Sequence, residues 1–532
     1  MTDTVDYIIV GAGSAGCVLA NRLTASGQHK VLLLEAGPKD RNPWIHIPLG
    51  YARLFQNAKV NWRYATEPEP ELNGRSVFTP RGKTLGGTSA INGLVYMRGQ
   101  REDYDHWRQL GNVGWGFDDV LPYFKKSEDQ QHGAGEFHGA GGPIKVSDPT
   151  EPHELCEAFI DACEQVGIPR NKDFNGATQE GAGYFQTTSR GRRRWTTAVG
   201  YLKPAMKRPN LTVVTEALAT RVLFEGREAV GVEYEQGGQK RTARARREVI
   251  LAGGAINSPQ LLQLSGVGPA ALLEQHGIPV VADMPGVGED LQDHFQVRMV
   301  FRCAKPCTMN DQVNSLFGRI GIGLQYVLQA KGPLTLSAGY ACAFYKTDRR
   351  LATPDIQVHF ITFSTDRMGT GVHPWSGFMA SICQLRPESK GFVRIKSADP
   401  KAAPAIQPLY MSTEGDRRTI VDGLKRLREI MQAPAMRPYV ASEELPGPAV
   451  KTDAEWLEFG RSMGSTIFHV SCTCRMGQDD RAVVDERLRV RGMGALRVVD
   501  GSIMPAVVSG NTNAPIIMIG EKGADMILED AR

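Results

Sequence analysis

Three glycines near the start of the chain have the spacing of a phosphate-binding turn. Gly11, Gly13 and Gly16 follow the apolar run Tyr7–Val10 and precede residues of helical character. In such a turn the first glycine allows the tight bend, the second lets a pyrophosphate approach the backbone, and the third lets strand and helix pack closely. The N-terminus of the following helix offers free N–H groups and a positive dipole end. The pattern therefore predicts that a ligand pyrophosphate binds here.

A carboxylate follows at the distance that a nucleotide ribose requires. The apolar run Val31–Leu34 ends at Glu35, 19 residues after Gly16. An acidic residue at this point of a βαβ unit would bind ribose hydroxyls. A GxGxxG turn alone is also common as simple βαβ packing. Strand, glycine turn, helix, strand and acid in this order favour a dinucleotide site.

The C-terminal section contains one histidine in apolar and small surroundings. His469 lies within Ser465–Gly477, STIFHVSCTCRMG. A neutral imidazole there could accept a hydroxyl proton, which predicts a rate that rises through a pKa near neutrality. On these residues alone, a hydrogen-bonded core histidine is the favoured alternative. Cys472 and Cys474 make the spacing H-x2-C-x-C, but no second pair follows, so no metal site is predicted.

Two polar positions follow this histidine segment in the sequence. Asp500 ends the strand-like run LRVVD, where an aspartate suits water-mediated contacts to a ribityl chain or a phosphate. A helix is predicted to start near 511–515, NTNAP. Its N–H and amide groups could donate hydrogen bonds to a polar ring edge or an oxyanion.

The length and composition of the whole chain are typical of a globular enzyme with more than one hydrophobic core. Its 532 residues exceed what one core usually spans, and a net charge of +4 gives no case for a nucleic-acid partner. No apolar run approaches the ~20 residues of a membrane helix. Asp3 and Asp6 without a basic region predict no signal peptide. Nine scattered cysteines without a CxxC pair predict a reducing, cytoplasmic setting.

Elements between these motifs can be placed coarsely. A second glycine-rich turn spans Pro80–Asn92, a helix is predicted over Pro152–Gly167, and an antiparallel meander is predicted from Asn210 to Glu248. The meander leads into a buried strand, 249–252, followed by a helix over 259–264. Further strands are predicted at 355–360 and 391–395, and an amphipathic helix over Asp416–Gln432.

Two surface features have open alternatives. Residues 318–331 place Ile320, Leu324, Val327 and Leu328 on one helical face; we favour a core helix over a membrane-lying or lid helix. The basic cluster consists of Arg190, Arg192, Arg193 and Arg194. A solvated face is favoured for it over contact with a cofactor, an acidic partner or a membrane.

Four segments in one order carry a resemblance to a known family. They are GAGSAG with Glu35, GKTLGGTSAINGLVYMRG (Gly82–Gly99), GAINSPQLLQLSGVG (Gly254–Gly268), and HVSCTCRMG followed by VVDGSIMP and NTNAP. On these segments the chain resembles the glucose–methanol–choline (GMC) oxidoreductases, which bind FAD, essentially from end to end. PRGKTLGGTSAIN and NTNAPIIMIGEK are typical of the bacterial primary-alcohol and choline dehydrogenase branch.

The resemblance implies roles for individual positions. His469 matches the active-site base and Asn511 the second catalytic position. Val222 would meet the adenine through its backbone. The positions implied to bind FAD are Gly11, Gly13, Ser14, Ala15, Gly16, Glu35, Ala36, Gly86, Gly87, Thr88, Asn92, Gly93, Val95, Val222, Ala252, Gly253, Asp500, Gly501, Asn511 and Thr512.

The chain departs from the family pattern at two places that bear on the site. Members with covalently attached flavin have a histidine where this chain has Ile91, so non-covalent FAD is expected. The usual HPVGTC is HVSCTC here, with Val470 for proline and Cys472 for glycine. The base stays in place, and the change falls on the backbone that follows it.

The implied fold is α/β, with a doubly wound Rossmann-type FAD domain and an α+β substrate domain that contains an antiparallel sheet. The FAD domain would be assembled from residues 1–150, 200–300 and 462–532. The substrate domain would take residues 151–199 and 301–461. The site would lie between the domains, where such pockets usually form.

The implied reaction is oxidation of a primary alcohol to an aldehyde. The base takes the hydroxyl proton while hydride leaves the α-carbon for flavin N5. Electrons would pass to a quinone, another carrier or O2, and the residues do not decide between them. An alcohol oxidase, a redox-silent lyase and a non-catalytic flavin-binding protein stay open. Peripheral association with the inner face of a membrane also stays open, and the oligomeric state is undetermined.

Overall fold

The first glycine turn follows a central parallel strand, and its neighbouring strand ends in Glu35. The computed structural model of the chain describes residues 3–366 and 371–532. The described helices are α1 (Ser14–Leu23), α2 (Tyr51–Leu54), α3 (Arg101–Gln109), α4 (Phe117–Ser127), α5 (Glu154–Gln165), α6 (Lys203–Ala205), α7 (Gly254–Leu264), α8 (Ala270–Gln275), α9 (Met309–Val313), α10 (Leu316–Leu324), α11 (Glu414–Gln432), α12 (Asp453–Met463) and α13 (Asn513–Asp530).

The strands range from two residues to thirteen. They are β1 (Asp3–Val10), β2 (Val31–Glu35), β3 (Tyr64–Ala65), β4 (Phe78–Thr79), β5 (Glu128–Gln130), β6 (Ile144–Val146), β7 (Gly181–Tyr184), β8 (Ser189–Arg190), β9 (Arg193–Arg194), β10 (Leu211–Thr215), β11 (Ala217–Glu225), β12 (Glu228–Gln236), β13 (Gln239–Leu251), β14 (Val267–Gly268), β15 (Ala282–Asp283), β16 (Phe295–Cys303), β17 (Ala341–Tyr345), β18 (Ile356–Ile361), β19 (Gly377–Gln384), β20 (Phe392–Arg394), β21 (Ala405–Gln407), β22 (Val440–Leu445), β23 (Ser465–Thr466) and β24 (Leu496–Val498).

Seven of the described strands form a mixed sheet in the order β10-β2-β1-β13-β12-β11, with β24 beside β13. Strands β10, β2, β1, β13 and β24 run parallel, whereas β12 pairs antiparallel with both β13 and β11. Parallel strands that are covered on both faces read as continuous apolar runs, and Tyr7–Val10 and Val31–Leu34 are buried accordingly. The carboxyl ends of β1 and β2 therefore meet at one edge, where Gly11 and Glu35 lie.

Helix α13 brings the C-terminal segment to this edge by packing against α1. Gly520 permits the close approach, since a Cβ there would lie 3.0 Å from Cβ of Val18. Arg22 forms an ion pair with Glu521 at 2.6 Å between the same two helices. At the N-terminal ends, Ser14 Oγ donates a hydrogen bond to Asn513 Oδ1 at 2.7 Å.

A second sheet of seven strands has the order β22-β16-β19-β18-β17-β7, with β23 beside β16. All of its pairings are antiparallel. In this register Arg298 of β16 lies opposite Ser381 of β19, which lies opposite His359 of β18. Side chains that are directly opposite point to the same face, so these three form one polar row. The α/β fold class with an added antiparallel sheet is confirmed.

Two large hydrophobic cores accompany the two sheets. The first draws on residues 5–146, 198–287 and 472–527, and the second on residues 72–182 and 295–459. Strand β16 belongs to the second sheet and crosses the boundary predicted at residue 300. The domain limits as such stay a prediction.

The predicted meander is only partly present. Strand β10 lies parallel beside β2 at the edge of the sheet, so it does not belong to the antiparallel part. The predicted separate strands 241–248 and 249–252 are one continuous strand, β13. Strand β1 occupies one edge of β13. On the other edge, the first half of β13 pairs with β12 and the second half pairs with β24, because one edge of a long strand can change partner along its length.

The expectation of a core helix at 318–331 is wrong. Helix α10 and the π-helical turn Gln325–Gln329 leave Leu324 and Leu328 more than half exposed. An apolar helical face fits a core and an uncovered surface equally well, so periodicity alone could not decide. The basic cluster also divides, since Arg194 is buried whereas Arg190 and Arg193 are exposed.

Candidate active site

One cavity extends from the edge of the parallel sheet to the polar row of the antiparallel sheet. Glu35 and Gly13 line one end, and Arg298, His359 and His469 line the other. The sequence-predicted residues that line it are Gly11, Gly13, Ser14, Ala15, Glu35, Ala36, Gly87, Thr88, Asn92, Gly93, Val95, Ala252, Gly253, His469, Asp500, Gly501, Asn511 and Thr512. The structure therefore brings together most of the positions that the sequence singles out.

The glycine turn offers an open helix terminus to this cavity. Helix α1 has Gly13 as its N-cap, and no side chain caps it. Gly16 lies behind the turn, where a Cβ would lie 1.9 Å from the carbonyl oxygen of Gly11. Gly87, at a φ of +50°, would place a Cβ 2.7 Å from Cα of Gly13. These glycines leave a backbone-lined cradle, which suits a pyrophosphate.

Glu35 is anchored by two backbone N–H groups. Its Oε2 accepts a hydrogen bond from Ala12 N at 2.9 Å, and its Oε1 accepts one from Gly37 N at 2.8 Å. Burial raises the pKa of Glu35 to about 7, although both backbone bonds act to lower it. Each carboxylate oxygen retains acceptor capacity for a ribose hydroxyl. The carboxylate is thus oriented before any ligand arrives.

Asp500 has a different role from the one the sequence suggested. Its Oδ2 accepts hydrogen bonds from Gly254 N at 2.8 Å and Ser258 Oγ at 2.6 Å. Its Oδ1 accepts from the backbone and the hydroxyl of Ser502, at 2.8 and 2.6 Å. These four bonds use the carboxylate fully. Asp500 therefore fixes the start of α7 beside the cavity, with little capacity left for a ligand.

Three predicted positions do not line the cavity. Gly16 packs behind the turn, and Gly86 approaches Ala198 at a φ of +90°. Val222 is buried, and its N–H donates to Ser265 Oγ at 2.8 Å, so the adenine contact expected there is not supported. Residues 217–219, earlier in the same strand β11, line the cavity instead.

His469 is held at both ring nitrogens. Its Nε2 lies 3.2 Å from Nδ2 of Asn511, and its Nδ1 lies 2.9 Å from Nδ1 of His294. Asn511 Oδ1 accepts a hydrogen bond from Gln357 Nε2 at 3.1 Å, which turns the amide nitrogen of Asn511 toward the imidazole. Since that nitrogen is a donor, Nε2 of His469 must be the acceptor. The network therefore assigns the ring proton of His469 to Nδ1.

The assignment is consistent along the chain of contacts. With the proton of His469 on Nδ1, His294 must accept at Nδ1 and carry its own proton on Nε2. That Nε2 lies 3.1 Å from the carbonyl oxygen of Leu385, an acceptor. Burial lowers the pKa of His294 to about 4. Both imidazoles are neutral at pH 7, with a lone pair of His469 facing Asn511 and the cavity.

Burial also lowers the pKa of His469 well below its ordinary value, and neighbouring basic groups act in the same direction. The base is therefore unprotonated at neutral pH. The expectation of a pKa near neutrality is not supported, because it took the imidazole as solvated. The alternative of an inert core histidine does not account for a lone pair that faces a cavity.

The polar row adds residues that sequence reasoning missed. Neither ring nitrogen of His359, nor Nε of Arg298, has a hydrogen-bond partner among the described residues. Burial lowers the pKa of His359 to about 3 and also lowers the pKa of Arg298. Polar residues at alternate positions of apolar strands, as in IQVHFI and FQVRMVF, were the available signal. No comparable alternation of polar and apolar residues indicated His294.

Comparisons with known proteins agree with this geometry. Models of the N-terminal and C-terminal parts of the GMC oxidoreductases match residues 5–296 and 387–520. The chain is a GMC oxidoreductase. It is 45% identical to an alcohol dehydrogenase [acceptor] of Pseudomonas putida, over 98% of this chain and 95% of the relative. It is 42% identical to an oxygen-dependent choline dehydrogenase of Photobacterium profundum, over 99% and 94%.

A solved structure supports the fold of this GMC oxidoreductase as well. The pyridoxine 4-oxidase of Mesorbium loti superposes with a TM-score of 0.89 at 31% identity, covering 98% of each chain. GMC oxidoreductases are FAD-dependent flavoproteins. The uncapped start of α1, the glycine cradle and the oriented Glu35 fit the pyrophosphate and ribose of that cofactor. The chain is thus an FAD-dependent oxidoreductase of the alcohol and choline dehydrogenase type.

Proposed function

We propose that this protein oxidises a primary alcohol to an aldehyde, with His469 as the general base. The observation that carries the proposal is the arrangement of Nε2 of His469. It is an unprotonated acceptor on the cavity wall, 3.2 Å from the amide donor of Asn511. A base and a donor side by side suit a hydroxyl group, because the oxygen loses a proton and gains negative charge during oxidation.

The residues would divide the work as follows. His469 accepts the hydroxyl proton at Nε2, and Asn511 Nδ2 donates a hydrogen bond to the oxygen as charge develops on it. His294 accepts a hydrogen bond from Nδ1 and so fixes the orientation of the base. A positioned general base typically contributes ~10²–10⁴-fold to the rate. Bound FAD supplies the acceptor for the hydride of the α-carbon.

The cofactor would be held by the residues already described. Glu35 would accept hydrogen bonds from ribose hydroxyls, and the start of α1 with Gly13 and Gly87 would hold the pyrophosphate. Ile91, buried and on the cavity wall, presents no nucleophile to the flavin. Non-covalent FAD is therefore proposed. Acid precipitation should release the flavin into the supernatant, and flavin that stays with the pellet would contradict this.

The polar row supports an uncharged or weakly polar alcohol as the substrate. Arg298 lines the cavity without a carboxylate within ion-pair distance in the described chain. Glu35 and Asp500 are the acidic residues among the described cavity lining, and both are engaged near the cofactor-binding turns. A quaternary ammonium group would meet a guanidinium here without a compensating carboxylate.

Choline is the second candidate, since relatives at 42–45% identity are named choline dehydrogenases. The cavity also has an aromatic wall, with Phe55 and Phe468 rings 5.5 Å apart and Tyr51 5.6 Å from Phe55. Aromatic faces attract quaternary ammonium groups. These rings favour choline, whereas the guanidinium disfavours it.

One experiment tests the reaction and ranks the substrates. The holoenzyme is mixed anaerobically with aliphatic, aromatic and secondary alcohols and with choline, while oxidised-flavin absorbance is followed. Primary alcohols should bleach the flavin faster than secondary alcohols. Absence of bleaching by every alcohol would contradict the proposal and favour the lyase or the non-catalytic alternative. Faster bleaching by choline than by neutral primary alcohols would establish the second candidate.

We propose a quinone or another carrier as the electron acceptor, by analogy with the relative named alcohol dehydrogenase [acceptor]. An oxidase of the same family is the alternative. Reoxidation of the reduced holoenzyme by a soluble quinone should be at least tenfold faster than by dissolved O2. The reverse order would identify an oxidase. A cytoplasmic location stays a prediction from cysteine usage.

A further inference from the structure

A cluster of large apolar side chains lies uncovered on helix α10 and the turn after it. We call it the apolar helix surface, and its members are Leu316, Phe317, Ile320, Leu324, Val327 and Leu328. Their exposed fractions range from 52 to 85%. Large exposed apolar residues that occur singly need no explanation, but a contiguous patch marks an interaction site. Six of the twelve such residues in the described chain fall in this one segment.

The spacing places these side chains on one side of the helix. Positions 316, 317, 320, 324, 327 and 328 recur at intervals of three and four residues, the period of a helical face. Ile322, between them, is buried and points toward the protein. The helix therefore already has an inner contact, and the outward apolar face is additional to it.

Arginines lie beside this surface, and acidic residues are missing from its segment. Residues 312–347 contain no Asp or Glu. The basic cluster is attached directly: Arg192 Nη1 donates to the carbonyl oxygen of Tyr326 at 3.2 Å, and Tyr326 Oη donates back to Arg192 O at 3.0 Å. Arg190, Arg193 and Arg319 are exposed, and none has an ion-pair partner among the carboxylates that the structure describes.

We propose that the apolar helix surface docks on a lipid bilayer that contains anionic lipids, with its apolar side chains in the interfacial region. Helices with Phe and Leu on one face and basic residues beside them bind in this way. The unpaired arginines would contact the lipid phosphates, and anionic lipid attracts basic segments. No described helix is long and apolar enough to span a membrane, so the contact is with the bilayer surface.

Charge favours a bilayer over a second copy of the chain. A twofold contact through this face would bring the same patch of two copies together. Arg193 and Arg319 of one copy would then face the same surface of the other copy, whose segment 312–347 offers no carboxylate, and this costs free energy. A bilayer supplies the apolar phase and the anionic groups together.

The apolar helix surface is close in sequence to the cavity. The chain leaves the surface through residues 333–335 and reaches the cavity wall at Ala338, whose N–H donates to Gly93 O at 3.1 Å.

Vesicle co-sedimentation of the full-length holoprotein tests the proposal. The probes are vesicles of phosphatidylcholine alone and of phosphatidylcholine with phosphatidylglycerol. The wild type should sediment with the anionic vesicles, and added salt should weaken the binding. Phe317→Glu combined with Leu328→Glu should lower the partition coefficient at least tenfold. Val113→Glu is the matched control, because Val113 is 75% exposed outside this surface.

The charge contribution is tested separately. Arg193→Glu combined with Arg319→Glu should weaken binding to the anionic vesicles more than to the neutral ones. Arg241→Glu, an exposed arginine on β13, is its control and should bind as the wild type does. Flavin content and thermal unfolding midpoint should be unchanged in every variant, since no altered side chain is buried or lines the cavity.

Three outcomes would overturn the proposal. The wild type would fail to sediment with anionic vesicles, or the Phe317 and Leu328 double variant would sediment as well as the wild type. Alternatively, light scattering would show a wild-type dimer that the double variant converts to a monomer, without vesicle binding by either. The last result would identify the surface as an interface between copies. The test does not depend on the proposed substrate, because binding is measured without turnover.

Discussion

The Nδ1 atoms of His294 and His469 lie 2.9 Å apart, with their ring planes at 86°. A single proton occupies this contact, and the amide of Asn511 on the other side of His469 decides which ring carries it. His294 accepts the hydrogen bond from Nδ1 of His469 and so holds the ring with the Nε2 lone pair toward Asn511 and the cavity. It touches neither the cavity nor the reacting hydroxyl, so its role is positioning.

This contact predicts a graded effect of His294 substitutions. His294→Ala leaves a buried N–H of His469 unpaired and should slow flavin reduction by alcohol about tenfold, the equivalent of one hydrogen bond. His294→Asn places an amide oxygen near the former Nδ1 and should recover most of the rate. Burial is the largest cause that lowers the pKa of His469, and removal of the neighbouring ring lessens that burial, so the acid limb of the rate should move to higher pH in the alanine variant. A merely structural role would change stability and leave that limb in place.

His469→Ala should slow anaerobic flavin reduction by roughly 10²-fold or more while FAD stays bound. The variant loses the proton acceptor, whereas no proposed cofactor contact involves His469. Asn511→Ala should slow reduction by about tenfold, because it removes one neutral hydrogen bond to the developing alkoxide. Rapid-mixing spectroscopy measures both rates. If His469→Ala instead loses flavin or unfolds, and its loaded molecules react normally, the base lies elsewhere.

The pH dependence follows from the direction of the pKa of His469. Only the neutral imidazole accepts a proton, and burial lowers its pKa well below the ordinary value of 6.5. The rate of flavin reduction should therefore be flat through neutrality and fall only in the acidic range. This limb should be absent in His469→Ala. A limb centred near pH 7 would mean that the imidazole is more solvated than its surroundings indicate.

The order of motifs within a short stretch of sequence was enough to predict the glycine turn and the carboxylate at one part of the cavity. The glycine turn, the two apolar runs and Glu35 fall within residues 6–35, and parallel pairing of adjacent strands follows from that βαβ unit. Val222 could not be predicted in the same way. Which part of a long antiparallel strand reaches the cavity depends on register, and the N–H of Val222 is taken by Ser265, distant in sequence.

The substrate half depends on contacts that no local pattern encodes. Arg298, Ser381 and His359 come from three strands and form a row only because the antiparallel register aligns them. The face of helix α10 is the opposite case: its periodicity was evident, but whether anything covers it is a tertiary fact. Patterns of polarity indicate a face and not what lies against it.

Glu35→Ala should weaken FAD binding by about 10–100-fold, because the carboxylate would make charge-assisted hydrogen bonds worth ~1.5–3 kcal/mol. Equilibrium dialysis of the holoenzyme measures the loss. The flavin that remains bound should be reduced by alcohol at the wild-type rate, since Glu35 lies at the far end of the cavity from His469. Glu136→Ala, at an exposed position, is the control. Full retention of flavin by the Glu35 variant would show that this carboxylate does not hold the ribose.

Arg298→Ala should change which alcohols the enzyme accepts. The guanidinium lines the cavity without a described carboxylate partner, and burial lowers its pKa without removing its charge at pH 7. Like charges brought together in a desolvated site cost free energy, so the wild type should discriminate against choline. In the variant, the flavin-reduction rate with choline should rise at least tenfold relative to the rate with a neutral primary alcohol.

Two control variants test whether the charge is responsible. Arg298→Lys should keep the discrimination, because it retains the charge. Arg302→Ala, on the same strand but paired with Glu444 at 3.2 Å outside the cavity, should change neither rate. An unchanged ratio of choline to neutral alcohol in Arg298→Ala would mean that the guanidinium does not face the substrate, and the aromatic wall would then decide the specificity.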